Sequence, residues 1–262
     1  MRCNMKKYFL NDTQDMNNLM LYKKLCLALI LTLSYSTLCR AQTFVGYAHD
    51  LESKELLYTE HHQYQDDITH TVIYKEIDGR TFAEKSISYA QGFISPSIEQ
   101  KNSRNGEIIK IVKRENVLFI EYKENDKEDL ESEELNLTSS LVVDAGFDHF
   151  ISQNWIDLTE GRSLTVDYLV PSLLDSYQLT IEKYECENDE NYCFSISASN
   201  FFISMFSDQL RLSYDKISRK LTSFQGRSNI CDEEGEYQDV LISYDYSHSQ
   251  TQSNFKPQEE VR

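Results

Sequence analysis

The sequence predicts a mainly β fold: a strongly curved antiparallel sheet, a half-barrel, with one central amphipathic helix packed on its concave face. Three observations carry this expectation. From Phe44 onward, apolar residues recur at every second position in short runs. Polar turns separate the runs at intervals of about 8–13 residues, the spacing of antiparallel hairpins. A single mid-chain segment departs from that period and repeats at helical spacing instead. Only 8 glycines and 3 prolines occur in 262 residues, which removes collagen-like, low-complexity and glycine-loop nucleotide-binding readings.

Taken in chain order, the first feature is an apolar stretch, Leu25 to Leu33, that follows Lys23-Lys24 and softens towards Leu38. It is shorter than the roughly 20 apolar residues that cross a bilayer. A basic start, a short apolar centre and small residues near Ala41 predict a secretory signal peptide over 1–41, cut after Cys39-Arg40-Ala41. Met16 or Met20 would give a more ordinary signal length. Lipidation of Cys39 would need a small residue before it, and Leu38 stands there. The expectation is a periplasmic or secreted protein that is not transmembrane after cleavage.

The whole chain carries 26 Lys and Arg against 43 Asp and Glu, a net of −17. Residues 1–41 hold six of the bases and two of the acids, which leaves 20 against 41 and a net of −21. A surface this acidic repels a phosphate backbone, so no nucleic acid is expected as a partner.

The next strands are expected at 43–49, 55–65, 69–77, 82–90, 107–113 and 117–123. Turn chemistry falls between them at Asp78-Gly79, Asn105-Gly106 and Glu115-Asn116. Lys123 to Glu134 is crowded with charge and has Leu130 as its one aliphatic residue. It reads as a solvated loop, because adjacent carboxylates without glycine or fixed spacing do not form a calcium loop.

The helical segment follows. Phe147, Phe150, Ile151, Trp155 and Leu158 fall on one face, with Asp144 as the expected N-cap and Gly161 as the stop. One helix of about three turns, carrying the only tryptophan, is expected to plug the concave face. Alternation then resumes at Leu164 to Val170, Tyr177 to Ile181, Tyr192 to Ala198, Leu210 to Tyr214 and Val240 to Tyr246. A second short helix is expected over Phe201 to Phe206. The chain thus divides into the signal peptide 1–41, a single β-rich domain 42–247 and a disordered tail 248–262.

Three cysteines remain after residue 41. Cys186 and Cys193 flank a polar loop between two alternating segments, at the mouth of a hairpin, and are expected to form a disulfide in an oxidising compartment. Cys231 is left as a partly buried free thiol, and no CxxC or CxxH spacing offers it metal-binding partners.

The histidines are His49, His61, His62, His70, His149 and His248. His61 and His62 point to opposite faces of one strand, so only one of them can meet His70 across a hairpin; two such rings could hold a metal, although strand histidines are commonly surface residues. Asp144 and Asp148, at i and i+4 beside His149, suggest a carboxylate pair for acid/base work. Both acids also suit the N-terminal end of a helix. No GxSxG, HExxH, SxxK or glycine-rich phosphate loop occurs. No enzyme activity, cofactor or metal is therefore expected.

The string Asp144-Ala145-Gly146-Phe147-Asp148-His149-Phe150, then Trp155, Val170-Pro171-Ser172, Tyr214-Asp215, Leu221 and Gly226-Arg227-Ser228-Asn229, resembles a group of uncharacterised exported proteins of Gram-negative bacteria over residues 44–246. In outline it also resembles the bent half-barrel of Lol-type lipoprotein carriers. The resemblance implies a periplasmic setting and an apolar ligand, and it transfers no catalytic residue. The function it suggests is non-enzymatic binding of a lipid or other apolar envelope component. The alternatives are a structural or protein-interaction module of the envelope with a filled core, and an enzyme using Asp148 and His149.

Overall fold

The computed structural model describes residues 42–198 and 210–247. The expected signal peptide, the second short helix at 201–206 and the tail from 248 lie outside the described residues. Within them the chain is mainly β, in one fifteen-stranded sheet that is almost wholly antiparallel and does not close.

The first arm of the sheet is a meander of β1 (Gln42–Asp50), β2 (Leu56–Tyr64), β3 (Thr69–Lys75), β4 (Thr81–Ser88), β5 (Ser97–Asn102), β6 (Ile108–Arg114), β7 (Val117–Lys123) and β8 (Glu131–Asn136). The second arm begins with β9 (Leu141–Val142), passes through α1 (Gly146–Gln153) and α2 (Trp155–Thr159), and continues as β10 (Leu164–Val170) and β11 (Asp175–Tyr184). It ends in β12 (Asn191–Ala198), β13 (Leu210–Asp215), β14 (Leu221–Cys231) and β15 (Tyr237–Asp245). Strands β1 and β15 pair at the middle of the sheet, so β8 and β9 form its two edges. The one parallel pairing is β9 with β10.

Six strands predicted in the first half are present, and their turns carry the expected left-handed residues at Gly79, Gly106 and Glu115. Strands β5, β8, β9 and β14 are the ones periodicity missed. In β14 the apolar residues Leu221, Phe224, Ile230 and Cys231 do not alternate. The charged run expected as loop through Glu134 instead enters β8 at Glu131. An edge strand wet on both faces needs no apolar alternation, and its charges discourage pairing with another chain.

The predicted single helix is corrected to two short ones that meet at Asn154. The side-chain amide of Asn154 donates to the Phe150 carbonyl, and its backbone lies outside the helical region. Asp144 is not the N-cap: it precedes the helix with φ +39°, and Ala145 occupies the cap position without a side-chain cap bond. Its carboxylate is drawn away by a tertiary partner, Lys85. Gly146 is required at the start of α1, because a Cβ there would stand 2.0 Å from the Ile94 carbonyl oxygen. Gly161, at φ +89°, ends α2 where expected.

Two hydrophobic clusters fill the domain. One gathers Tyr58, Val72, Ile87, Ile111 and Leu118 with Leu141 and Leu169 from the other arm. The other packs Ile151, Trp155 and Leu158 against Val166, Leu179, Phe194 and Leu212, with Phe147 and Phe150 partly buried beside it.

Cys186 and Cys193 form the predicted disulfide, their Cα atoms 5.4 Å apart. Cys231 is free and buried, 2% exposed. Burial beside Glu107 pushes its thiol up to about 12, which makes it a poor nucleophile. Intact-mass analysis of residues 42–262 in denaturant without reductant should show one alkylated thiol, and three would refute the disulfide.

Candidate functional site

Inward-facing side chains of every strand except β7, β8 and β9 line a cavity of about 540 Å³, together with Phe147, Asp148 and His149 of α1. Most of this wall is apolar, with Phe44, Val72, Ile87, Ile98, Leu212 and Ile242 among its residues. Polar groups enter it because several strands carry a polar residue in their inward phase. On β4 and just beyond it, Ala83, Lys85, Ile87 and Tyr89 are buried while Glu84, Ser86 and Ser88 are exposed. On β2, Glu60 shares the inward phase of Tyr58, and on β5 Gln100 shares that of Ile98. That phase was the available signal, and sequence reasoning that tracked only apolar periodicity missed Lys85, Glu60 and Gln100.

Lys85 is the buried cation of the site. Its Nζ lies 2.6 Å from Asp144 Oδ2, and its side chain is 4% exposed against 25% for Asp144. Asn229 donates its amide to the other Asp144 oxygen at 3.4 Å. The ion pair ties β4 to the turn that launches α1.

A second polar group lies along β2 and β3. His62 Nε2 stands 3.2 Å from Glu60 Oε2, and His62 Nδ1 stands 3.1 Å from His70 Nε2. Aromatic rings clamp both imidazoles: Phe44 stacks on His62 at 4.2 Å and Tyr64 on His70 at 4.1 Å. So His62 is the residue that meets His70, while His61 faces away and bonds Thr59 at 3.1 Å. Among the described residues no three metal-ligating side chains converge. His49 stays apart from the cavity, 3.3 Å from the Tyr47 carbonyl, and His248 lies outside the described residues.

Burial drives His70 down to about 2, with the positive character of His62, Lys85 and His149 adding to the effect. Between that value and the ordinary 6.5 the unfolded chain binds a proton that the folded chain does not. His70 therefore contributes its full share of stability above pH 6.5 and loses it as the pH falls, by up to about 1.4 kcal/mol per pH unit. Urea unfolding at pH 7, 6 and 5 should show a shallower loss for His70→Gln than for the native chain; parallel curves would refute the assignment.

Asp148 and His149 do not form a relay with Asp144, which faces Lys85 instead. Asp148 is exposed and is also one of the residues lining the cavity, and desolvation raises its carboxyl above the usual range despite a hydrogen bond from Tyr214. His149 packs on Tyr89 at 4.8 Å and Phe93 at 4.9 Å, and burial lowers its pKa. Of the predicted plug residues, Ile151, Trp155 and Leu158 are buried beneath the cavity wall, while Phe147 lines it and Phe150 packs alongside. No family model, curated protein or solved structure matches the chain.

Proposed function

We propose that this protein binds a lipid or other apolar envelope component, without chemistry on it, inside a sheet rolled into an open half-barrel with α1 across it. The observation that carries this reading is the cavity itself. Its volume of about 540 Å³ falls within the range of about 300–1,000 Å³ typical of ligand clefts, and its wall is mainly aliphatic and aromatic with a few placed polar groups.

The rolled shape is supported by the connection between the sheet edges. Laid flat, fifteen strands at about 4.8 Å spacing would hold β8 and β9 about 67 Å apart. The chain from Asn136 to Leu141 reaches at most about 18 Å. Hydrogen bonds across the sheet support it as well: Asn102 of β5 donates to the Cys231 carbonyl of β14 at 2.9 Å, and Gln100 donates to the Asn229 carbonyl at 3.2 Å. Six steps of a flat sheet would put about 29 Å between those strands. The signal-like segment, the disulfide and the resemblance to uncharacterised exported proteins of Gram-negative bacteria support a periplasmic setting.

Native mass spectrometry of the protein purified from periplasm without detergent, followed by organic extraction, tests the reading. A stoichiometric bound lipid or apolar metabolite is expected. A clean apo mass, with no uptake of added long-chain alcohol or fatty acid, would overturn it in favour of an interaction module.

A further inference from the structure

Among the described residues, the lysines and arginines that line the cavity are Lys85, Arg219, Lys220 and Arg227. Two of them are neutralised by carboxylates, Lys85 by Asp144 at 2.6 Å and Arg227 by Asp239 at 2.9 Å. Arg219 and Lys220 have no carboxylate partner among the described residues. They are consecutive, in the turn between β13 and β14. The nearest acid along the chain, Asp215, is committed to the turn itself: one of its oxygens accepts from the backbone N–H groups of Ile217 and Ser218 at 3.2 and 2.6 Å and from the Ser218 hydroxyl at 2.7 Å. Lys216, the third base of the turn, donates its ammonium to the Asp189 carbonyl and does not line the cavity.

Aromatic rings hold the two free cations in place. The Arg219 guanidinium lies 5.4 Å from the centroid of the Trp155 ring, and the Lys220 ammonium lies 4.5 Å from that of Tyr246. Tyr246 is itself fixed by donation from its hydroxyl to the Leu221 carbonyl at 2.9 Å, and both residues line the cavity. A ring face attracts a cation but leaves its N–H donors without an acceptor. Arg219 is exposed and Lys220 half-buried, so both remain open to solvent.

We propose that Arg219 and Lys220 form the head-group site of the cavity and select an amphiphile with an anionic head, a carboxylate or a phosphate. The inference rests on the proposed ligand-binding function and specifies its ligand class. The chain of such a ligand occupies the aliphatic and aromatic wall, while its head accepts charge-assisted hydrogen bonds from the two bases. A cationic head would meet two unpaired like charges there. Nor does the rest of the wall offer it an unengaged acid: Asp144 is held by Lys85, Glu60 stands 3.2 Å from His62, and Asp148 accepts from Tyr214.

The test displaces a neutral apolar fluorophore, N-phenyl-1-naphthylamine, from the full chain with dodecanoate, dodecyl phosphate, dodecan-1-ol or dodecyltrimethylammonium. At least one of the two anions should displace the probe at a concentration about tenfold lower than the alcohol. Two effects oppose that order, since the alcohol is the more apolar ligand and the chain carries a net charge of −17, so a preference for an anion reports the local bases. The double variant Arg219→Gln, Lys220→Gln should lose the preference and keep displacement by the alcohol. The charge-conserving double variant Arg219→Lys, Lys220→Arg should retain it. Displacement by the alcohol or the ammonium at concentrations no higher than either anion needs would overturn the anionic head and leave ligand binding standing. So would a preference that survives in the glutamine variant, or equal loss of alcohol and anion displacement in it. Failure of the probe and of all four amphiphiles to bind would overturn both.

Discussion

Trp155→Ala is expected to destabilise the fold by about 3–5 kcal/mol, as truncation of a buried aromatic does. Trp155 is 6% exposed and makes edge-on ring contacts with Tyr192 at 5.6 Å, Phe194 at 6.2 Å and Tyr214 at 5.9 Å. The Arg219 guanidinium also lies over it, 5.4 Å from the ring. Removing the indole strips one shared partner from three aromatic rings on β12 and β13 at once, and the backbones of paired strands cannot collapse inward to fill the void. For a domain of this size each kcal/mol moves the midpoint by about 2–4 °C, so thermal unfolding should drop by roughly 6–20 °C. A drop of only a degree or two would refute the packing of α2 against the second arm.

Asp144→Ala should cost a similar amount, about 3–5 kcal/mol, for a different reason. It leaves the Lys85 ammonium, on a side chain that is 4% exposed, without its carboxylate. An unpaired buried ammonium is far more costly than an absent ion pair, so Lys85→Met in the Asp144→Ala background should restore most of the loss. Urea unfolding of the two single variants and the double variant measures the coupling. A cost below about 1 kcal/mol for Asp144→Ala would mean that Lys85 is well hydrated and that the cavity is wet at this depth. The two predictions are independent, since Trp155 belongs to the cluster under the helices and Lys85 to the polar wall of the cavity.

The parts of the fold legible in the sequence were those set by local periodicity. Alternation located β1, β2, β3, β4, β6 and β7 because one face of each is buried. It failed at β8, where both faces are exposed, and at β14, where burial does not alternate. The helical face was legible in Ile151, Trp155 and Leu158, but the break at Asn154 was not, because the apolar spacing runs through it uninterrupted. Asp144 illustrates the limit most directly. As a local residue it suits an N-cap, yet Lys85, 59 positions earlier, holds its carboxylate instead.

The candidate site was less legible than the fold. A pair between His70 and one of His61 and His62 was recognised as possible across one hairpin, since strand alternation puts those two on opposite faces, and the structure decided that the partner is His62. Lys85, Glu60 and Gln100 were passed over, although each breaks an apolar phase and is thereby marked as a buried polar group.

By itself, the sequence determined the antiparallel class, most of the hairpins, the Cys186–Cys193 pairing and the buried face of the helical segment. Each of these depends on residues near one another along the chain. Only the tertiary structure decided that β1 and β15 join the two arms, that consecutive strands β8 and β9 become opposite edges, and that Asn102 reaches Cys231. Periodicity assigns a side chain to a face. Which faces then meet across a cavity depends on long-range pairing and on the cumulative twist of fifteen strands, and no local pattern encodes either.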